Sequence, residues 1–184
     1  MPTIRVFVLR TLLSAMVMII LSSVPSQARR SVPLPEGGSI SYSSMDGKTW
    51  FGIRDRKGRR YVLKVNRDST VSFKAEPSNL KVVGSNRGSF IIVVDTYPSV
   101  RGGMSYCQAG EERFLRVISM SKKSATEAFR IKVESCRENI ILASPGIEWF
   151  PKISTLRINW FLGPSSSQRP EVQEIKIRPD GKSE

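Results

Sequence analysis

Apolar and polar side chains alternate with a period of two through most of this chain, and no other feature constrains its fold as strongly. In residues 60–67 the side chains of Tyr61, Leu63 and Val65 fall on one face, and residues 128–135 repeat the pattern. Successive side chains of a β-strand point to opposite faces, whereas those of a helix recur every 3.6 residues. The pattern therefore predicts half-buried strands.

The predicted strands are short and closely spaced. Asp46-Gly47 separates two alternating runs, 39–43 and 49–53, and this dipeptide is a strong hairpin signal. Further candidate strands are 60–67, 70–76, 90–94, 113–120, 128–135, 139–143, 156–161 and 174–178. Roughly ten short strands at spacings of about 8–15 residues predict an all-β fold, a small antiparallel sandwich or barrel.

Two segments depart from simple alternation. Residues 90–94 are apolar on both faces and rich in β-branched side chains, so they are predicted to form a central strand that is covered on both sides. Residues 121–127 are polar and predict either one helical turn or a hairpin loop. The fold is otherwise expected to be free of helix.

Residues 1–28 have the organisation of a cleavable secretory signal. Arg5 and Arg10 precede the apolar run 11–24, and Ala28 closes a cleavage motif of small residues. The apolar run has 14 residues, fewer than the roughly 20 that a membrane-spanning helix needs. We therefore expect an exported protein, periplasmic or extracellular, with no transmembrane anchor after cleavage.

Export also sets the expected state of the two cysteines, Cys107 and Cys136. An even number of cysteines in an oxidising compartment favours a disulfide. The chain has neither a Cys-x-x-Cys motif nor a histidine that would activate a thiolate, so the bridge is expected to be structural. The predicted organisation is a signal peptide at 1–28, an irregular lead-in at 29–38 and a single disulfide-bonded β-rich domain at 39–184.

The sequence offers little to catalysis. It has no histidine, which excludes His-based triads, His metal ligands and imidazole acid–base chemistry. Two cysteines cannot form a four-thiolate zinc site. Glu111 and Glu112 are adjacent, so on a strand they would face opposite sides and make a poor glycosidase pair. We expect no enzymatic activity, no metal and no cofactor.

The strongest candidate site is a cluster of positive charge. The chain has 29 Lys and Arg against 16 Asp and Glu, and removing 1–28 takes away two arginines and no acid, so the net charge falls only from +13 to +11. Residues 54–67 contain seven cations and one acid, Asp55. A well-solvated turn would carry such charges equally well. The anion- or partner-binding residues predicted at this hairpin tip are Arg54, Arg56, Lys57, Arg59 and Arg60.

A second candidate contact is aromatic. Trp149 and Phe150 are adjacent, so on a strand one of them must face outward, and Trp149 is the predicted contact for a partner. Trp160 lies in phase with Leu156 and Ile158, which instead favours a core position.

These features predict an exported, non-catalytic binding module that acts on an acidic protein partner in the cell envelope, as inhibitors, immunity proteins and accessory factors do. The alternative is a binder of an anionic envelope component, either lipid head groups or an acidic polysaccharide, through the hairpin at 54–67. Nucleic acid is not an expected partner, because an exported protein rarely meets it and no nucleic-acid-binding motif is present.

Overall fold

The structure, a computed structural model, is all-β. It describes residues 31–45, 48–65, 68–71, 76–86, 88–100, 110–165 and 169–183. Within these ranges the chain forms eleven strands and no helix, which confirms the predicted fold class. The strands are β1 Ser31–Pro33, β2 Ser39–Met45, β3 Lys48–Arg54, β4 Arg60–Val65, β5 Asn79–Asn86, β6 Phe90–Pro98, β7 Glu111–Met120, β8 Ala125–Ser135, β9 Ile141–Phe150, β10 Thr155–Leu162 and β11 Glu171–Lys176.

The strands form three antiparallel sheets. The N-terminal sheet has the order β1-β2-β3-β4, the central sheet β5-β6-β7-β8 and the C-terminal sheet β11-β10-β9. Strands within a sheet pair with their sequence neighbours, as short connections favour. Each sheet ends in two edge strands, so none closes on itself. The predicted barrel alternative is therefore wrong, because closure requires the first and last strands of a sheet to pair.

The three sheets pack as layers, with the central sheet in the middle. One apolar cluster joins the N-terminal sheet to one face of the central sheet. A second cluster joins the opposite face of the central sheet to the C-terminal sheet. Burial of apolar surface at about 25 cal/mol per Å² stabilises both interfaces.

The alternating pattern of the first hairpins predicts their buried face correctly. Tyr61, Leu63 and Val65 are buried on β4 while the residues between them are exposed. Phe51 and Ile53 lie opposite on β3 and are buried beside them. The register of β2 and β3 leaves a two-residue connection at 46–47, the position of the predicted hairpin turn.

The predicted central strand is confirmed. β6 is covered on both faces, and its side chains divide alternately between the two clusters. Ile91 and Val93 pack toward the N-terminal sheet, whereas Phe90, Ile92 and Val94 pack toward the C-terminal sheet. Such two-sided burial is why this strand is a continuous apolar run.

Some elements differ from the sequence prediction. Within the lead-in 29–38, residues Ser31–Pro33 form the short edge strand β1. β5 was not predicted, because a register shift between Val82 and Gly84 interrupts its alternation. Residues 121–124 form a hairpin loop, held by hydrogen bonds between Ser121 and its neighbours, and β8 begins directly after them. Of the two alternatives for that segment, the loop is correct.

Several predictions concern residues outside the described ranges. The signal segment 1–28, Cys107 and most of the predicted strand 70–76 are among them. Cys136 itself lies immediately after β8, at the end of a long hairpin. The disulfide and the signal peptide remain predictions.

Candidate functional site

The turn between β3 and β4 is organised by its only acid. The Asp55 carboxylate accepts hydrogen bonds from the backbone N–H groups of Lys57 and Arg59, each at 2.9 Å. Its second oxygen accepts the Arg59 Nε–H at 2.7 Å and the Tyr61 hydroxyl at 3.3 Å. Gly58 adopts a φ of 79°, a left-handed conformation that favours glycine. These bonds fix the turn in one conformation.

The same contacts shift the pKa values of Asp55 and Arg59. Burial alone would raise the pKa of Asp55, but the hydrogen bonds and the positive charge of Arg59, together with the Lys57 N–H, outweigh it and lower that pKa. The hydrogen bond to Asp55 raises the pKa of Arg59 in return. At neutral pH the carboxylate is therefore ionised and engaged within the turn.

The predicted cations surround this turn and face solvent. Arg54 and Arg60 lie directly opposite each other at the end of the hairpin next to the turn, an arrangement that normally destabilises a strand pair because like charges repel. Asp55 is buried, so the acid is shielded while the cations are presented. The side chains exposed at this tip are Arg54, Arg56, Lys57, Arg59 and Arg60.

The cations do not all serve one surface. Some line a cleft of about 680 Å³ between the hairpin and the central sheet, a size within the range of small-molecule sites, about 300–1,000 Å³. Leu34, Ile91 and Met120 provide apolar walls to this cleft. Its charged residues are Glu36, Asp55, Arg56, Lys57 and Arg59.

Residues of the lead-in pack closely against the β3–β4 hairpin. A Cβ on Gly38, which has a φ of 95°, would lie 2.2 Å from the Arg54 carbonyl oxygen, so this close approach requires glycine. The Arg56 stem lies beside Gly37. Ser85 also lines the cleft, and its hydroxyl has no hydrogen-bond partner among the described residues.

The structure does not bring Trp149 to the basic hairpin. Trp149 is half-buried in the second apolar cluster, on the opposite face of the central sheet. Its ring meets Phe90 edge to face at 5.6 Å and fills the space above Gly84. Phe150 is the neighbour that faces outward, with the Arg157 guanidinium 5.1 Å from its ring centroid. Trp160, predicted to be core, is 1% exposed.

A buried ion-pair network lies on the face of the central sheet that packs toward the N-terminal sheet. Arg116 Nε donates to both oxygens of Asp95, at 2.8 and 3.0 Å, and Arg116 Nη1 donates to Glu127 at 2.5 Å. Burial opposes the charge on Arg116, but the adjacent carboxylate of Asp95 raises its pKa. Asp95 lies on β6, and Arg116 reaches it from the neighbouring strand β7.

The role of Asp55 is what sequence reasoning missed. It was counted only as the one acid of a basic segment. An Asp followed within a few residues by Gly is a signal for a side chain that caps its own turn, and this signal was present in Asp55-Arg56-Lys57-Gly58.

Comparison with known proteins gives no match to a family model, to a curated protein or to a solved structure. Over the described ranges, no cluster of three or more acidic or Cys side chains is placed to hold a metal ion. No helix long and apolar enough to cross a membrane occurs in the same part of the chain. Function is therefore inferred from the geometry and charge of the hairpin.

Proposed function

We propose that this protein is an exported, non-catalytic binding module that recognises an anionic component of the cell envelope through the β3–β4 hairpin. One observation carries the proposal. Five exposed cations surround a turn whose only acid is buried and engaged with that turn.

The local chemistry suits phosphate or carboxylate ligands. Guanidinium groups bind such anions through paired hydrogen bonds. The turn is fixed by Asp55, so little conformational freedom is lost when a ligand binds. The cleft offers the Arg56 and Lys57 side chains as donors for a bound oxygen.

The second candidate function is recognition of an acidic protein partner, which the sequence analysis placed first. Inhibitors, immunity proteins and accessory factors act in this way. Phe161 and Val172 favour it, because they are 60% and 63% exposed on the C-terminal sheet. Exposed apolar side chains are common contact points in protein interfaces.

Charge reversal at the hairpin tests the first function. Arg56→Glu with Lys57→Glu removes two cations that face the cleft and leaves the Asp55–Arg59 pair intact. We expect retention on immobilised envelope polysaccharide and on anionic vesicles to fall at least about tenfold at 0.1 M salt. Wild-type binding should itself weaken steeply at 0.5 M salt, because bound anions release counterions.

Lys152→Glu with Lys176→Glu is the matched control. Both lysines are exposed beside the C-terminal sheet, beyond the central sheet, and the change in net charge is identical. Equal losses in the two double variants would indicate a general effect of net charge and contradict a hairpin site. Retention of one envelope protein at both salt concentrations, unaffected by the hairpin variant, would favour the protein-partner function instead.

A further inference from the structure

The outward face of the N-terminal sheet has an unusual composition. The alternation that buries Phe51 and Leu63 turns their neighbours away from the core. We call this surface the outer face. On β2, β3 and β4 it consists of Ser39, Ser41, Ser43, Lys48, Trp50, Gly52, Arg54, Arg60, Val62 and Lys64.

The outer face has cations at both ends and no acid among its described residues. Arg54 and Arg60 pair at one end. At the other end Lys64 lies opposite Trp50, and Lys48 is two residues before Trp50 on the same strand. Lys48, Arg54, Arg60 and Lys64 are all exposed. The face is therefore positively charged at both ends.

Between the two charged ends lie small, aromatic and apolar residues. Gly52 has no side chain, and a Cβ there would meet the Ser41 hydroxyl at 3.1 Å. Val62 stands opposite Gly52 and is 69% exposed. Trp50 lies two residues before Gly52 on β3 and is half-buried. An aromatic ring, hydroxyl groups and a small apolar surface thus lie between the two cationic ends.

We propose that the outer face binds an extended acidic polysaccharide, which lies along β3 with a sugar ring against Trp50. The inference rests on the proposed function and assigns its ligand class. Acidic groups of the chain contact Arg54 and Arg60 at one end and Lys48 and Lys64 at the other. Arg54 follows Lys48 by six residue steps, so at a rise of about 3.4 Å per residue the two ends lie about 20 Å apart.

The side chains favour a polysaccharide over a lipid surface. Ser39 and Ser43 offer hydroxyl groups that suit the hydroxyls of a sugar chain, while Ser41 donates its own hydroxyl hydrogen to the Gly52 carbonyl. A membrane-inserting face would instead carry a broad apolar surface. Here Val62 is the one large hydrophobic side chain strongly exposed among the described residues of the face.

Ligand length provides the decisive test. Binding of oligogalacturonates of graded length is measured by calorimetry for the wild-type protein and for Lys48→Glu with Lys64→Glu. We expect wild-type affinity to rise sharply once the oligomer exceeds about 20 Å. The double variant should lose that rise, falling about tenfold for long oligomers while binding of short ones stays within about twofold. Lys152→Glu with Lys176→Glu should behave like the wild type.

The aromatic contact is tested separately with Trp50→Ala and Trp50→Phe. We expect the alanine variant to weaken binding of long oligomers several-fold and the phenylalanine variant to restore most of it, because both aromatic side chains offer a ring face. Unfolding curves show that each variant is folded. Equal loss with both substitutions would contradict a stacking role.

The outcomes separate the inference from the proposed function. If Arg56→Glu with Lys57→Glu abolishes binding but Lys48→Glu with Lys64→Glu does not affect long oligomers, the hairpin function stands and the outer face is not the site. If anionic vesicles bind and oligogalacturonates of every length do not, the ligand class is wrong. If no anionic ligand binds, both proposals fail.

Discussion

Asp55 shows how one acid can strengthen a cationic site. Its carboxylate is buried against the turn, where two backbone N–H groups, Arg59 and Tyr61 all donate to it. The carboxylate pairs with one cation, Arg59, and holds the turn that presents the others. Its burial leaves Arg56 and Lys57 turned toward solvent.

Asp55→Asn should destabilise the protein in a pH-dependent way. The folded state lowers the pKa of Asp55, so its stabilisation is complete above its unfolded pKa, near 3.9, and is lost as the pH falls through the lower folded value. We expect the variant to unfold at lower urea than the wild type at pH 7, and the two midpoints to converge below about pH 4.

Asp180→Asn is the matched control, since Asp180 is an exposed acid in another turn. A gap between wild type and Asp55→Asn that stays constant down to pH 2 would show that charge on Asp55 is not what stabilises the turn.

Arg116 illustrates a different use of charge. It is 1% exposed, and its guanidinium is engaged by Asp95 and Glu127. A buried ion pair contributes little net stability against an apolar replacement, although loss of one partner costs about 3–5 kcal/mol. The network therefore constrains the register of β6, β7 and β8 more than it adds stability.

At the scale of elements, β5 and β9 pack together at Gly84, a residue without a side chain. A Cβ on Gly84 would lie 2.3 Å from Cδ1 of Trp149. Gly84 sits at the register shift in β5, and Phe90 holds the ring of Trp149 from the next strand. The absent side chain thus makes room for a packed indole.

Gly84→Ala should destabilise the protein by about 1–3 kcal/mol, the usual cost of overpacking. We expect the same substitution to cost less in a Trp149→Leu background, because the smaller side chain relieves the clash. Urea denaturation of the four proteins in this cycle gives both values. Equal costs in the two backgrounds would show that Trp149 moves aside freely, as an exposed contact for a partner would.

The elements that the sequence predicted correctly are those whose pattern of apolar residues indicates which faces are buried. Alternation placed Tyr61 and Leu63 in the core, and the two-sided run 90–94 marked the central strand. Alternation does not determine which of two adjacent aromatics faces inward. Pairing with Leu156 turns Trp149 toward the core, and this pairing depends on a strand partner that no local pattern specifies.

The candidate site was only partly predictable for the same reason. A run of charge in 54–67 locates a basic hairpin, but its division into a cleft side and an outer face depends on the twist and register of β3 and β4. The three-layer arrangement was beyond the sequence as well. The sequence of each strand indicates which of its faces is buried, but it does not indicate which sheet covers that face.

At the scale of the whole molecule, the predicted disulfide closes the longest hairpin. Cys136 follows β8, while Cys107 lies outside the described residues. A bridge that closes a loop of about 30 residues should stabilise the fold by about 3–4 kcal/mol. Cys107→Ser with Cys136→Ser should lose that amount in urea denaturation, and reductant should lower the wild type to the same value. Alkylation of both thiols without reductant would disprove the bridge.

The layered fold also separates two sheet faces of different charge. The outer face of the N-terminal sheet carries cations without a described acid, whereas on the opposite side of the molecule Arg157 lies between Glu148 and Glu174. The two faces therefore differ in local charge. Near an anionic surface the outer face is attracted more strongly over the last 8–10 Å or so, the screening length at physiological salt. The molecule would turn its basic face forward before any side chain makes contact.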